Sequence, residues 1–357
     1  HIGDVENGGT FDAWNAARSR LEDLFDLAPA ALACDVHPSY LSGQWAREQA
    51  RKCNLPLVEV QHHHAHIASV MAEAIAAGQL TTDARVLGIA FDGTGAGTDG
   101  TIWGGEFLVA SLGGFEHAAH LRTWALPGGA ASVRDARRNA FALLSELGLL
   151  EHPGAARLLD SLDEQTRSVT ATMIERGINS PRTSSMGRLF DAAAAILGIC
   201  NKATYEGEPA IELEAAAWRA LDNEIAHFPD DNAGYFASCP SWLDGPYVLD
   251  QKALFEALLG GIEAGAPADR LALDFHVAVA RSSARIASDI CVHEGIDTVA
   301  LSGGVFMNRL LLQLLTRELK SMGLTVLVPH SVPVNDGCIA YGQAAVARTR
   351  LAQVAPQ

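Results

Sequence analysis

The residues most able to do chemistry are crowded into Gln61-His62-His63-His64-Ala65-His66, where four histidines fall within five positions. His62 and His66 are four apart, so on one helical turn both imidazoles point to the same side and can offer neutral ring nitrogens to one metal ion. A single histidine is ordinarily a core or surface residue; this density, directly after an apolar strand, favours a metal site. A zinc peptidase would need glutamate immediately after the first histidine as its general base. His63 stands in that place, which excludes hydrolysis of the zincin type.

Two glycine-rich segments read as ligand-facing turns. Phe91-Asp92-Gly93-Thr94-Gly95-Ala96-Gly97-Thr98-Asp99-Gly100 contains a formal G-x-G-x-x-G at Gly95, Gly97 and Gly100. The dinucleotide fingerprint must open a helix, whereas this stretch leads into the apolar run Thr101–Val109, so a Rossmann site is rejected on context. A glycine-rich hairpin tip after an aspartate can instead wrap backbone N–H groups around phosphates while the Asp92 carboxylate holds a cation. Ser302-Gly303-Gly304-Val305 lies between a predicted strand and a predicted helix that contains Asn308. Its glycines let a ligand approach the backbone, and a helix start favours an anion or a polar nucleoside group. Taken alone, the second segment is equally well explained by ordinary strand-to-helix turn chemistry. Pro333-Val334-Asn335-Asp336-Gly337 puts the Asp336 carboxylate at a helix start, where capping is the commoner use.

These groups need a scaffold that brings them together. The chain alternates helix and strand: a helix capped by Thr10 and running to about Phe25, with Phe11, Trp14, Leu21 and Phe25 at helical spacing, then strand Ala31–Cys34, a helix over 41–52, strand Pro56–Val60, and a helix from about His64 to Ala77. A second series opens with a hairpin, Val86–Phe91 and Thr101–Val109, and passes through a mostly helical middle. It ends with a helix near 272–294, strand Thr298–Leu301, a helix near 307–321, strand Leu324–Val328 and a last helix from about Asp336. The end of the second series repeats the first. The repeat aligns His62–His66 with Asp336, each where the last strand of its half feeds the last helix. Parallel strands with crossover helices, in two similar lobes facing each other, would bring both into one cleft, and this promotes Asp336 to a third ligand. The expected lobes are residues 1–80 and 81–357, the second with helical insertions. The first half lacks an opening hairpin; with a start at His1 rather than methionine, the expectation is a chain excised from something longer, its hairpin upstream.

Composition agrees. The 357 residues, 48% hydrophobic and 19% charged, suffice for two packed lobes and lie far from a disordered composition. No run of about 18 uncharged apolar residues and no signal-peptide start occurs, which predicts a cytoplasmic protein with no membrane partner. With 26 basic against 42 acidic residues the formal charge is -16, which disfavours nucleic acid as a partner. The six cysteines form no Cys-x-x-Cys pair and read as free thiols.

Taken together, V-Q-H-H-H-A-H, F-D-G-T-G-x-G-x-D-G-T-I-W-G-G-E, G-R-L-F-D-A, Y-E-G-E, S-G-G-V-F-x-N and N-D-G, in this order, closely resemble the C-terminal part of HypF, the carbamoyltransferase family of nickel–iron hydrogenase maturation. The opening H-I-G-D-x-E-N and the segment Cys34-Asp35-Val36-His37-Pro38-x-Tyr40 are similar to that family too, so the resemblance spans nearly the whole chain. It implies the two-lobed actin/hexokinase/Hsp70-like α/β architecture, shared with the tRNA threonylcarbamoyl transferase TsaD and the antibiotic O-carbamoyltransferase TobZ, with a nucleotide and metal cleft between the lobes. By resemblance, His62, His66, Asp92 and Asp336 bind an iron or zinc ion, and His62, His66 and Asp92 are catalytic. Gly93, Thr94, Gly95, Gly97, Gly104 and Gly105 line the phosphate side of ATP, AMP or carbamoyl adenylate, while Asp191, Gly207, Gly303, Gly304 and Asn308 hold the ribose and adenine.

The resemblance further implies a metal- and nucleotide-dependent carbamoyltransferase acting on the C-terminal cysteine thiolate of a partner, HypE, in the synthesis of the hydrogenase cyanide ligand. An upstream YrdC-like domain of the same polypeptide makes the carbamoyl adenylate, preceded by acylphosphatase-like and zinc-finger modules. The alternatives are O-carbamoyl or threonylcarbamoyl transfer to another acceptor, and a nucleotide-binding protein of the same fold without carbamoyl chemistry. A kinase of that fold would hold magnesium with carboxylates and water rather than imidazole, so the histidine pair discriminates against it.

Overall fold

The computed structural model describes residues 8–223, 237–238 and 246–354; the opening H-I-G-D-V-E-N motif and Cys239 lie outside them. Two sheets carry the fold. Strands β1 (Leu32–Asp35) and β2 (Leu57–Val60) pair in parallel, with Asp35 opposite Val60. Helix α1 (Gly8–Phe25) precedes them, α2 (Leu41–Cys53) connects them, and α3 (His62–Ala76) leaves β2 directly. Among the described residues the second sheet has nine strands. At its centre β3 (Val86–Ala96), β4 (Ile102–Ala110) and β5 (Phe115–Leu121) form an antiparallel meander. On the other side of β3 lie the parallel strands Thr298–Ser302 and, outermost, Thr325–Leu327.

The period-2 pattern of β3 explains how both faces of this sheet are used. Leu87, Ile89 and Phe91 enter a large core with Val299 and Leu301 and with the helices Ala136–Leu147, Met186–Ile196, Ala268–Glu294 and Arg309–Ser321. Val86 and Ala90 point the other way, into a smaller core with Ala300 and with Ile67, Ala68 and Met71 of α3. Small residues on that face let α3 lie close to the sheet. The C-terminal helix Ile339–Val354 closes over α3 at Gly342, where a Cβ would stand 1.9 Å from the Ala65 carbonyl oxygen, so any larger residue would push the two helices apart. This second core joins residues on both sides of position 80.

The elements follow the predicted order, with instructive differences at their ends. Helix α3 begins at His62, two residues early, because the Gln61 side chain accepts the His64 N–H at 2.8 Å and caps the helix there. The glycine-rich stretch after Asp92 is not simply a loop: β3 bulges between Phe91 and Gly95, resumes pairing with β4, and turns only after Gly97, whose N–H donates to Thr101 O at 2.9 Å. Thr10 lies inside α1 rather than capping it. No residue of α1 is buried, and Leu21, Leu24 and Phe25 are each more than half exposed. Its inward contacts are Trp14, edge-on to Trp45 at 5.2 Å, and Arg18, whose guanidinium lies 4.4 Å over the same ring. No helix among the described residues is long and apolar enough to cross a membrane.

His276, fully buried in the helix Ala268–Glu294, ties that helix to the next. Its Nδ1–H donates to Ala272 O at 2.7 Å, and its Nε2 accepts from the Asn308 amide at 2.9 Å. Asn308 in turn caps the helix Arg309–Ser321 by accepting Leu311 N–H at 2.9 Å. Burial pushes the His276 ring down to about 4, the Ala272 hydrogen bond acting weakly the other way. An unfolded histidine titrates near 6.5, so below that pH the unfolded chain takes up a proton that the folded one refuses. The contribution is complete above about pH 6.5 and is lost towards pH 4, at up to about 1.4 kcal/mol per pH unit. In urea unfolding from about pH 7 to about pH 4.5, His276→Gln should show a shallower loss of stability than the wild type; parallel curves would contradict a neutral, buried His276.

Candidate functional site

Four side chains from three distant segments converge where β3 leaves its regular pairing. His62 and His66 come from the first turn of α3, Asp92 from the β3 bulge, and Asp336 from the one-turn helix Asp336–Cys338. Their ligating atoms all lie within 4.8 Å of one another. Asp92 Oδ2 is 3.3 Å from His62 Nε2 and 3.2 Å from His66 Nε2, and Asp336 Oδ1 is 3.6 and 3.3 Å from the same two nitrogens. The other Asp92 oxygen accepts the Gly93 N–H at 2.7 Å and the Gly304 N–H at 3.2 Å. Asp336 is free for this role because its neighbour Asn335 does the capping, accepting Gly337 N–H at 3.2 Å. His62, His66 and Asp92 are buried, while the Asp336 side chain is 55% exposed.

Burial alone would push both imidazoles down. Hydrogen bonds with Asp336, Asp35 and Asp92 nevertheless hold His62 well above the ordinary histidine range, and those with Asp336, Asp92 and Cys338 hold His66 up to about 10. Burial likewise opposes the charged forms of Asp92 and Asp336, yet the two histidines hold both carboxyls below their usual range. The carboxylate pair thus demands positive charge between them. Two imidazole nitrogens with two carboxylate oxygens suit zinc or ferrous iron rather than magnesium. Two donors bound to one ion at about 2.0–2.1 Å can be no more than about 4.2 Å apart, and the four nitrogen–oxygen separations, 3.2 to 3.6 Å, lie within that reach. The residues present fit a metal ion.

The other two histidines are packing residues. His63 lies with Nδ1 3.1 Å from the Gln61 amide, and His64 donates from Nε2 to Ser111 O at 2.8 Å. Burial takes the rings down to about 3 and about 4 respectively, so both are neutral.

A cavity of about 670 Å³ opens from this cluster, with Asp92 and Asp336 in its wall. Of the residues expected to meet a nucleotide, Gly93, Thr94, Gly207, Gly304 and Asn308 line it. Gly95, Gly97, Gly104, Gly105, Gly303 and Asp191 are not in its wall. The glycines among them are needed for the chain's contacts with itself. At Gly303, φ 111°, a Cβ would lie 2.2 Å from Phe91 O, and at Gly95 it would lie 2.4 Å from His63 Cε1. Asp191 is 1% exposed and pairs at 3.0 Å with Arg188 Nη2; Arg188, not Asp191, reaches the cavity.

Sequence reasoning passes over two further carboxylates. Asp35 Oδ2 lies 3.2 Å from His62 Nδ1, and the available signal is the parallel pairing of two short strands, which sets Asp35 beside Val60, two residues before the histidine run. Glu106, fully buried, accepts the N–H groups of Gly104 and Gly105 at 3.1 Å each and a hydrogen bond from Ser184, and faces His117 Nε2 at 2.6 Å. Burial opposes its charge, but His117 keeps the carboxyl below its ordinary range. It stands in W-G-G-E, a motif otherwise read for its glycines.

The α/β fold that carries this cluster and cavity is that of a Kae1-like domain. Residues 88–343 match the family model described as "Carbamoyltransferase, Kae1-like Domain, second subdomain", and residues 1–73 match "HypF Kae1-like domain". The chain belongs to the HypF carbamoyltransferase family. It is 39% identical over 360 residues to the carbamoyltransferase HypF homolog of Cupriavidus necator, an alignment covering 99% of this chain and 87% of that protein. With HypF of Synechocystis sp. the identity is 35%, covering 96% of this chain but 43% of the relative. A crystal structure of full-length HypF in a phosphate- and nucleotide-bound form is similar with a TM-score of 0.86 at 35% identity, over 98% of this chain and 43% of that one. The chain therefore spans most of one relative and less than half of the others.

In metal analysis of the purified chain, His62→Ala and His66→Ala should each lose bound transition metal, whereas His63→Ala, whose ring turns towards Gln61, should retain most of it. Equal metal content in all three variants would remove the ligand assignment.

Proposed function

We propose that this chain transfers a carbamoyl group from carbamoyl adenylate to the C-terminal cysteine of HypE in the cytoplasm, a step in cyanide-ligand synthesis for hydrogenase maturation. One observation carries the reading: Asp92 and Asp336 belong at once to the four-donor cluster and to the cavity wall. A nucleotide lying in the cavity therefore has one end against the cluster. Gly93 and Gly304 leave the wall beside Asp92 without side chains, so a phosphate can lie against the backbone there. Arg188 supplies the cationic side chain of the lining, and Gly207 and Asn308 are left for the nucleoside. Family membership and the nucleotide-bound HypF relative support this assignment.

His62, His66, Asp92 and Asp336 would hold a zinc or ferrous ion, which supplies Lewis acidity to polarise the carbamoyl carbonyl and offset the charge that grows on attack. The acceptor thiolate forms the new C–S bond, and the bond from the carbamoyl carbon to the phosphate oxygen breaks with its electron pair leaving on AMP. The products are a thiocarbamate and AMP. No nucleophile of this chain is consumed; its residues bind, orient and neutralise. In the same reading the two sheets belong to facing lobes of an actin/hexokinase/Hsp70-like duplication, residues 1–80 and 81–357, and a YrdC-like domain of the same polypeptide provides the adenylate.

Supplied with carbamoyl adenylate and HypE, the 357-residue chain should add one carbamoyl group to the acceptor cysteine, read by mass spectrometry of the HypE C-terminal peptide. Supplied with carbamoyl phosphate, ATP and HypE, it should not. Product from the second mixture would overturn the division of labour. No product from the first with metal bound would overturn the acceptor, and turnover of a small-molecule hydroxyl or a tRNA adenosine in its place would establish the alternative transfers.

A further inference from the structure

We propose that Asp35 is a positioning residue for His62, deciding which ring nitrogen faces the metal and joining the metal centre to the loop 35–40. The proposal rests on the metal-centre reading above. His62 presents Nε2 to Asp92 and Asp336. For that nitrogen to ligate it must be bare, so the ring proton must sit on Nδ1. Asp35 Oδ2 lies 3.2 Å from Nδ1, and an ionised carboxylate can only accept. Both residues are buried, which strengthens the hydrogen bond between them.

The carboxylate is itself held from several sides. Asp35 ends β1, where pairing with Val60 sets it beside the chain two residues ahead of His62. Its backbone carbonyl accepts from Arg47 Nη2 at 3.1 Å, the same guanidinium reaches Val36 O at 3.4 Å, and Arg47 Nε donates to Glu59 at 2.8 Å. Asp35 Oδ1 accepts the His37 N–H at 2.8 Å, so one carboxylate fixes the metal ligand with one oxygen and the loop with the other. Beyond it, the His37 ring stacks on Tyr40 at 4.2 Å.

His66 is held differently. Its Nδ1 faces the Ser302 hydroxyl at 3.2 Å and the Cys338 sulfur at 3.3 Å, and the Ser302 hydroxyl in turn reaches Val334 O at 3.4 Å. One ligand ring therefore leans on a carboxylate and the other on two weakly polar groups. A carboxylate acceptor makes the opposite ring nitrogen a stronger donor, so on this proposal the His62 Nε2 would be the stronger donor of the two.

The test uses the zinc-loaded 357-residue chain with ¹⁵N-labelled histidine. The wild type should show His62 as the Nδ1–H tautomer with zinc on Nε2; His62 bound through Nδ1 would overturn the proposal without recourse to any variant. Asp35→Ala, which removes the acceptor, should raise the zinc dissociation constant about 10- to 100-fold, the usual effect of losing such a partner. Arg47→Met, which loosens the same loop but leaves the carboxylate, should stay within about 3-fold of wild type; an equal loss in both variants would assign the effect to loop integrity and overturn the proposal. His62→Ala separates the two levels. If it loses zinc while Asp35→Ala binds like wild type, the role of Asp35 fails alone. If His62→Ala binds zinc like wild type, the metal-centre reading itself fails.

Discussion

The carboxylate of Asp92 is the constraint around which the rest is arranged. A buried charge is costly unless paired and hydrogen-bonded, and this one is met on every side: Gly93 and Gly304 donate to one oxygen, and His62 and His66 face the other. These four partners come from three pieces of architecture. Gly93 belongs to the bulge in β3, Gly304 follows the neighbouring parallel strand, and the histidines stand on the first turn of α3. The small residues on one sheet face, and the near-contact of Gly342 with Ala65, bring α3 close enough to complete the set.

The same carboxylate joins the four-donor cluster to the cavity. Its buried side turns to the histidines, and its residue lies in the cavity wall along with Asp336. On the adjacent strand Glu106 has a comparable role, holding the peptide groups of Gly104 and Gly105 so that β4 keeps its course beside the bulge. Neither glycine reaches the cavity. Their motif is ligand-like in appearance, yet much of it serves the chain's contacts with itself.

What the sequence makes legible follows from how local each signal is. The strand–helix alternation and the β3–β4 hairpin are readable because period-2 and period-3.6 patterns are local. The pairing of His62 with His66 is readable because a helix fixes it within one turn. Asp336 joins them only through the repeat of strand and helix in the two halves, and its freedom from capping depends on Asn335, which spacing does not reveal. Asp35 and Arg188 are invisible at that level, since their importance comes from strand register and from a buried ion pair. The outward face of α1 also escapes a pattern-based reading: Leu21 and Phe25 have core-like spacing, but no described partner covers them.

The distances along the chain set an order of assembly. His62 and Asp92 are 30 residues apart, a separation a young chain can close early. The contact of His66 with Cys338 spans 272 residues, and contacts of such range form late because loop closure must precede any gain from them. Both histidines and Asp92 precede Asp336 in the chain by more than 200 residues. The four-donor set is complete only when Asp336 has joined them, so firm ion binding would mark a molecule in which these distant segments have packed together.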